Sequence, residues 1–293
     1  MSGVTSAVTK QAVGRRAFIG SLYDVRSDQF EGGNLFNQEL ASSLILTTDC
    51  ASSEYFVDEN LSQKDTFNKL NIDASMKLSL MAGLVNVEGT AKYLNQTTTN
   101  SRTVRVTLIF NVKTKQQHLQ VSMADLCNYF SSDALENPNA THCVTGITWG
   151  ARIAATFEET FSTSERAEEF QGQLAASLKK VTINVNGKAD VDNTEKTNSK
   201  FHSLKISFSG DVLIEDVPNT VDDVFNIFKK VPSMLKQLND GKGQQLEFEL
   251  YPLKTMADKF KYQLRIERLV VNTKMSNTNK SFSYILILES STK

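Results

Sequence analysis

The sequence predicts an α+β fold in which a mostly antiparallel sheet carries its helices to one side. Several runs alternate apolar and polar residues with period two, and others place apolar residues at helical spacing. The two kinds never alternate as the strand–helix–strand units of a parallel sheet. The chain has 293 residues, 40% hydrophobic and 22% charged, enough to bury a core without staples. Its prolines are Pro138, Pro218, Pro232 and Pro252, and no Gly/Ser-rich or Pro-rich linker divides it. One continuous domain with a small C-terminal appendage is expected.

In chain order, residues 18–23 (FIGSLY) read as an edge strand, followed by a turn at Gly32-Gly33. In residues 72–82, Ile72, Ala74, Met76, Leu78, Leu80 and Ala82 alternate with Asp73, Ser75, Lys77, Ser79 and Met81, which is a strand pattern. The phase shifts after Leu84, as a bulge or a helical piece would require. Beyond the polar spacer NQTTTNSR, Val104, Val106, Leu108, Phe110 and Val112 alternate with polar neighbours and read as the partner strand of a long hairpin. A short helix is expected over 122–132 and a turn around Pro138. Residues 142–155, β-branched and apolar, read as a central strand containing Gly146 and Gly150.

Ser164 is placed to cap a helix in which Phe170, Leu174 and Leu178 share a face. Directly after it, Val181, Ile183, Val185, Gly187, Ala189 and Val191 alternate with polar residues, so the period changes from helix to strand within three residues. A further strand runs from Phe201 to Leu213. Thr220 and Asp223 form a capping-box pattern ahead of the apolar face Val221, Val224, Phe225 and Phe228, and Pro232 kinks or ends that helix. LEFELYPL, YQLRIERLVV and FSYILILESS read as closing strands.

Composition excludes several classes of function. A net charge of -1 and a pI near 6.3 offer nothing to nucleic acid or to an anionic bilayer. Cys50, Cys127 and Cys143 are too few and too scattered for a disulfide framework or a zinc site, and buried reduced thiols are expected. The histidines His118, His142 and His202 belong to no HExxH motif, and the chain has no Cys-x-x-Cys, no GxSxG and no Gly-rich phosphate loop. His142 and Cys143 are adjacent on a strand, so they point to opposite faces and cannot pair as base and nucleophile. The pairs Glu158-Glu159 and Asp222-Asp223 read as solvated helix ends. No enzyme, cofactor, metal or small-molecule substrate is expected. The N-terminus lacks the apolar run of a signal peptide and no stretch is long enough for a spanning helix, so a soluble chain is expected; the sequons at Asn60, Asn95, Asn139 and Asn279 carry little weight without a leader.

Two segments, about 72–112 and 157–208, carry small-residue-rich amphipathic alternation long enough for two membrane strands and a turn each. Residue by residue, half-buried strands of an ordinary antiparallel sheet read the same way. The conflict of periods around Lys179–Val181 favours a segment that is helical in one state and extended in another.

Several motifs carry a resemblance. GRRAFIGSLYDVRSDQF, LSLMAGLVNVEGTAKYLNQ and ATHCVTGITWGA resemble segments of stonustoxin-like proteins, a branch of the membrane attack complex/perforin and cholesterol-dependent cytolysin (MACPF/CDC) superfamily. FSGDVLIEDVPNTVDDVFNIFKKVPSMLKQL and LEFELYPL are similar to that family's strand, capped helix and closing strand, in the same order along residues 14–253. Asn139-Ala140 and Ala151 stand where the wider superfamily has Tyr-Gly and a second glycine, in agreement with the stonustoxin-like branch.

The resemblance implies a bent, mostly antiparallel four-stranded sheet flanked by two helical clusters, at about 71–101 and 160–199, that convert to transmembrane β-hairpins. It implies a pore-forming domain over 1–254; the ending SFSYILILESSTK has no counterpart in the family, and residues 255–293 are expected to form a short C-terminal β extension of unknown role. Hairpin 1 would use Ile72, Ala74, Met76, Leu78 and Leu80 with Val104, Val106, Leu108 and Phe110. Hairpin 2 would use Val181, Ile183, Val185, Ala189 and Val191. Lys77, Glu88, Lys188, Asp190 and Asp192 would face the lumen. Gly146 and Gly150 would lie where the sheet bends, with Thr141 and His142 holding that strand. The expected partners are a lipid membrane and further copies of the chain in a homo-oligomer, with a second homologous subunit as a variant, and no nucleic acid. The expected behaviour is that of a soluble protein acting extracellularly, membrane-associated once it oligomerises. A non-lytic interaction or defence module keeping the same fold is the alternative.

Overall fold

The run His142–Thr160 is apolar, small or β-branched on both faces, and it forms the middle of the sheet, buried from His142 to Phe157. The computed structural model describes residues 6–59, 72–81, 85, 102–120, 124–184, 201, 204–259, 269–272 and 285–288. Its elements are β1 (Val8–Gln11), β2 (Ser21–Asp24), β3 (Gln29–Asn34), β4 (Ile45–Asp58), α1 (Ala74–Met81), β5 (Thr103–Leu119), α2 (Ser132–Leu135), β6 (His142–Thr160), α3 (Ser164–Asn184), β7 (Lys205–Gly210), α4 (Val221–Leu235), β8 (Gln244–Pro252), α5 (Leu253–Lys259), β9 (Leu269–Asn272) and β10 (Ile285–Leu288).

All pairings among the described strands are antiparallel. β5 lies between β4 and β6, while β6 pairs β7 along its C-terminal half and β8 along its N-terminal half. Short strands widen this frame, with β1 beside β8 and β2 and β3 beside the start of β6, giving eight strands around four long positions. β9 and β10 form a separate two-stranded sheet. α5 buries Leu253, Met256 and Ala257 beside Leu22 and Cys143, so the main core continues past residue 254.

Helices cover both faces of the sheet, not one. On β5, Val104, Val106, Leu108, Phe110 and Val112 meet α3 and α4 through Leu174, Leu178, Val224 and Phe228. Ile109, which points the other way, meets Ile72, Met76 and Leu80 of the α1 segment. Alternation along β5 therefore marks two buried faces, each covered by helix.

Register shifts line up across the sheet. Cys50 and Ala51 of β4 oppose Thr114 of β5, Thr114 is the extra residue against Gly150 and Trp149 of β6, and Leu246 of β8 is the extra residue on the far side. Bulges bend strands and increase their twist, so a row of them makes one bend line. Two glycines permit the crowding there. A Cβ on Gly150 would run into the Val112 carbonyl, and one on Gly243 (φ +85) into the Gly150 carbonyl. Thr114 donates its hydroxyl hydrogen bond to the Lys242 carbonyl across the same line.

Local signals explain the helices. The Thr220 hydroxyl accepts from the Asp223 N–H at 3.1 Å, and the Asp223 carboxylate accepts from the Thr220 N–H at 2.9 Å, which is the capping box. Pro232 is tolerated near the end of α4, which closes at Leu235. The cap of α3 is Thr163, whose hydroxyl accepts from the Arg166 N–H, one residue earlier than the sequence suggested. The expected helix at 122–132 is a 3-10 turn over Ala124–Tyr129 followed by α2.

Candidate membrane-inserting segments and their restraints

The strand pattern at 72–82 is overturned: Ala74–Met81 is helical. Any run with apolar residues at every second position also contains the i, i+4, i+8 set of a helix. Here that set, Ile72, Met76 and Leu80, is buried, while Ala74 and Leu78 are exposed. Asp73 provides the start, its carboxylate accepting from the Met76 N–H at 3.0 Å. The second strand pattern is overturned in its first part, since α3 continues through Val181 and Ile183 to Asn184. Val185, Ala189 and Val191 lie outside the described residues, as do Glu88, Lys188, Asp190 and Asp192. Val104, Val106, Leu108 and Phe110 belong to the buried face of the sheet rather than to either helical segment.

Topology gives these helices their meaning. Residues 59–102 join β4 to β5 and residues 161–204 join β6 to β7, each linking two strands that already pair antiparallel. A hairpin turn of about 2–5 residues would make either connection. Both connections are many times that length and equally long, and they contain α1 and α3.

Each helix is held differently. α3 lays Ala167, Leu174, Ala175 and Leu178 on the sheet, and Phe161, Phe170 and Phe201 pack ring to ring at its flank. Its polar tie is Lys179 Nζ to Glu59 Oε1 at 2.6 Å, helped by Gln171 Nε2 donating to the Glu59 carbonyl at 2.9 Å. α1 is held by buried polar groups. Lys10 Nζ sits 2.7 Å from Asp28 Oδ1 and 2.9 Å from Asp73 Oδ2, and the Ser79 hydroxyl donates to Asp28 Oδ2 at 3.1 Å. The Tyr23 hydroxyl donates to Asp28 Oδ1 at 3.1 Å; burial pushes this phenol up, which keeps it a neutral donor. Arg15 donates to the Asp28 carbonyl at 2.8 Å and stands over the Tyr23 and Phe30 rings. Sequence reasoning missed this cluster. Its one local signal was Asp73, an N-cap residue just ahead of Met76 and Leu80 at helical spacing.

Thr141 and His142 fasten the start of β6. The Thr141 hydroxyl accepts from the Val25 N–H at 3.0 Å, and His142 Nε2 donates to the Ser6 carbonyl at 3.0 Å. Gly146 faces the Glu249 side chain across the β6–β8 pair, and Gly150 lies on the row of bulges. Burial holds the His142 imidazole below its usual value near 6.5, the Ser6 carbonyl and Asp24 opposing. The folded state therefore prefers the neutral ring, and its contribution is complete above about pH 6.5 and lost as pH falls from there toward the depressed folded value. Urea denaturation is expected to show a midpoint falling with acidification below about pH 6.5, with a shallower slope in His142→Gln. Cys143 is wholly buried, its thiol pushed up to about 12 by desolvation, whereas Cys50 on β4 is partly exposed. No helix among the described residues is long and apolar enough to cross a membrane.

Comparison with known proteins agrees with this architecture. Residues 7–265 match the family model described as SNTX, MACPF/CDC-like domain. Stonustoxin subunit beta of Synanceia horrida is 32% identical over 230 residues, 78% of this chain and 33% of the relative. Cytolytic toxin-beta of Scorpaena plumieri is 30% identical over 226 residues, 76% of this chain and 32% of the relative. A solved stonustoxin structure superposes with a TM-score of 0.58 at 25% identity, covering 87% of this chain and 34% of that one. The chain thus spans about a third of the length of the curated relatives it matches. Antiparallel frame, bend line, paired helical insertions and sequence match converge: the chain belongs to the stonustoxin-like MACPF/CDC family, a family of pore-forming toxins and not of enzymes.

Proposed function

We propose that this chain forms pores: it binds a lipid membrane, assembles with further copies or with a homologous second subunit, and extends 59–102 and 161–204 as two β-hairpins of a barrel. The observation that carries this reading is that both insertions leave and re-enter the sheet on strands that already pair, so each hairpin would only lengthen an existing ladder. Either insertion supplies two strands of about 20 residues, more than the 9–11 that a membrane strand needs. In the extended state Ile72, Ala74, Met76, Leu78 and Leu80 fall on one side of a strand and Lys77 on the other, as do Val181, Ile183, Val185, Ala189 and Val191 against Lys188, Asp190 and Asp192. Val104, Val106, Leu108 and Phe110 remain in the sheet as the root of hairpin 1. Among the described strands β4 pairs only β5 and β7 only β6, which leaves an edge on each side for a neighbouring subunit. The stonustoxin and neoverrucotoxin relatives come as alpha and beta subunits, and this chain resembles both kinds. Action outside the cell that made it fits the same reading.

Dye release from liposomes and erythrocytes, with negative-stain imaging of the same membranes, tests this. Release with rings or arcs is expected. Binding without release, from this chain alone and from mixtures with a homologous subunit, would overturn pore formation in favour of a non-lytic interaction module.

A further inference from the structure

We propose that Lys10, Asp28, Asp73 and Ser79 form a latch that holds α1 on the sheet before assembly and opens without leaving a buried charge unpaired. Its consequence for lysis rests on the pore-forming reading above; the latch itself does not.

The latch has two rungs. Asp73 joins the helix start to Lys10 on β1, and Ser79, more than a turn further on, joins the helix to Asp28 in the β2–β3 turn. Between them Met76 is fully buried, with its sulfur 3.9 Å from Arg15 Nη2. Asp73 does two jobs with one carboxylate, capping α1 and bridging to Lys10.

Removing one partner of a buried ion pair is normally costly because the other charge stays behind uncompensated. Here the frame is already paired without the helix. If α1 departs, Lys10 keeps Asp28 at 2.7 Å, and Asp28 keeps the Tyr23 hydroxyl at 3.1 Å. Asp73, whose side chain is 41% exposed, moves from partial to full hydration. The charges that stay buried are neutralised by the frame, and the charge that leaves is the one already half in water. The Lys179–Glu59 ion pair of α3 differs, being open to solvent with Lys179 54% exposed.

The test reads α1 in the absence of any membrane. Leu80→Cys, nearly buried in the packed helix, serves as a labelling probe in a background with Cys50→Ser and Cys127→Ser, where the buried Cys143 reports global unfolding. Asp73→Asn keeps a competent cap and removes the bridge. Labelling at Leu80→Cys is expected to accelerate by about tenfold or more, the scale of one lost charge-assisted hydrogen bond, while Cys143 stays protected. Lys179→Gln should leave the rate at wild-type level. Should Asp73→Asn expose Cys143, Ser79→Ala, which removes the second rung alone, carries the test. An unchanged rate in the folded variant, or equal acceleration by Lys179→Gln, would overturn the latch. Faster labelling in a chain that never releases dye would retain the latch and sink the pore reading.

Discussion

A Glu59→Cys/Lys179→Cys chain closed by a short, cleavable bis-maleimide is expected to lose dye release by about a hundredfold or more and to regain it on reduction. The two side chains meet at 2.6 Å, both are solvent-accessible, and neither fills the core, so closing the bridge leaves the folded chain intact. Conversion would pull them far apart. Glu59 follows β4 directly and would stay at the root of hairpin 1, whereas Lys179 lies 19 residues beyond the end of β6 at Thr160, and at about 3.3 Å per residue an extended strand carries it about 60 Å away. No short linker spans that distance. Release that persists in a fully cross-linked sample would show that 161–204 does not extend from β6. Loss of release that reduction fails to restore would point to damage rather than restraint, and the uncross-linked double variant provides the reference.

The largest loss of stability is expected from Gly150→Val. A side chain there meets the Val112 carbonyl, which is main chain in the neighbouring strand and cannot rotate aside, and Leu246 closes the other flank. Overpacking against fixed backbone is expected to cost at least about 3 kcal/mol, a large part of a domain's total stability. Gly32→Ala is the contrast, because a Cβ at that position meets nothing within 4 Å and is expected to change stability by no more than about 0.5 kcal/mol. Denaturant midpoints of the two variants measure the difference. Equal, small effects would mean that the bend line relaxes under a side chain.

Part of the sheet was legible in the sequence because a run that is apolar, small or β-branched on both faces, like β6, reads as a buried strand, and in β8 Pro252 and the β-favouring Phe248 and Tyr251 accompany the alternation. The capping box at Thr220 and Asp223 was legible for the same kind of reason, being a contact between residues three apart. Residues 72–82 were not, because alternation at every second position satisfies the strand and the i, i+4, i+8 helix together, and only the place where Ile72, Met76 and Leu80 find apolar partners separates the two. The resemblance assigned this segment to a helical cluster where periodicity assigned it to a strand.

What the sequence by itself determined is local and combinatorial: the strands β5, β6 and β8, the capped helix α4 and the start of α3, the absence of motifs for catalysis, and the family through several motifs in one order, while β1, β4 and α5 carried no pattern that was read as an element. The tertiary structure alone decided that helices cover both faces, that residues 59–102 and 161–204 bridge strands already paired, that bulges on three strands fall into one row, and that Lys10, Asp28 and Asp73 meet. Those are contacts between residues 18 to more than a hundred positions apart, set by register and by burial of shared apolar faces, and a pattern read within one window carries no record of which distant surface will complete it.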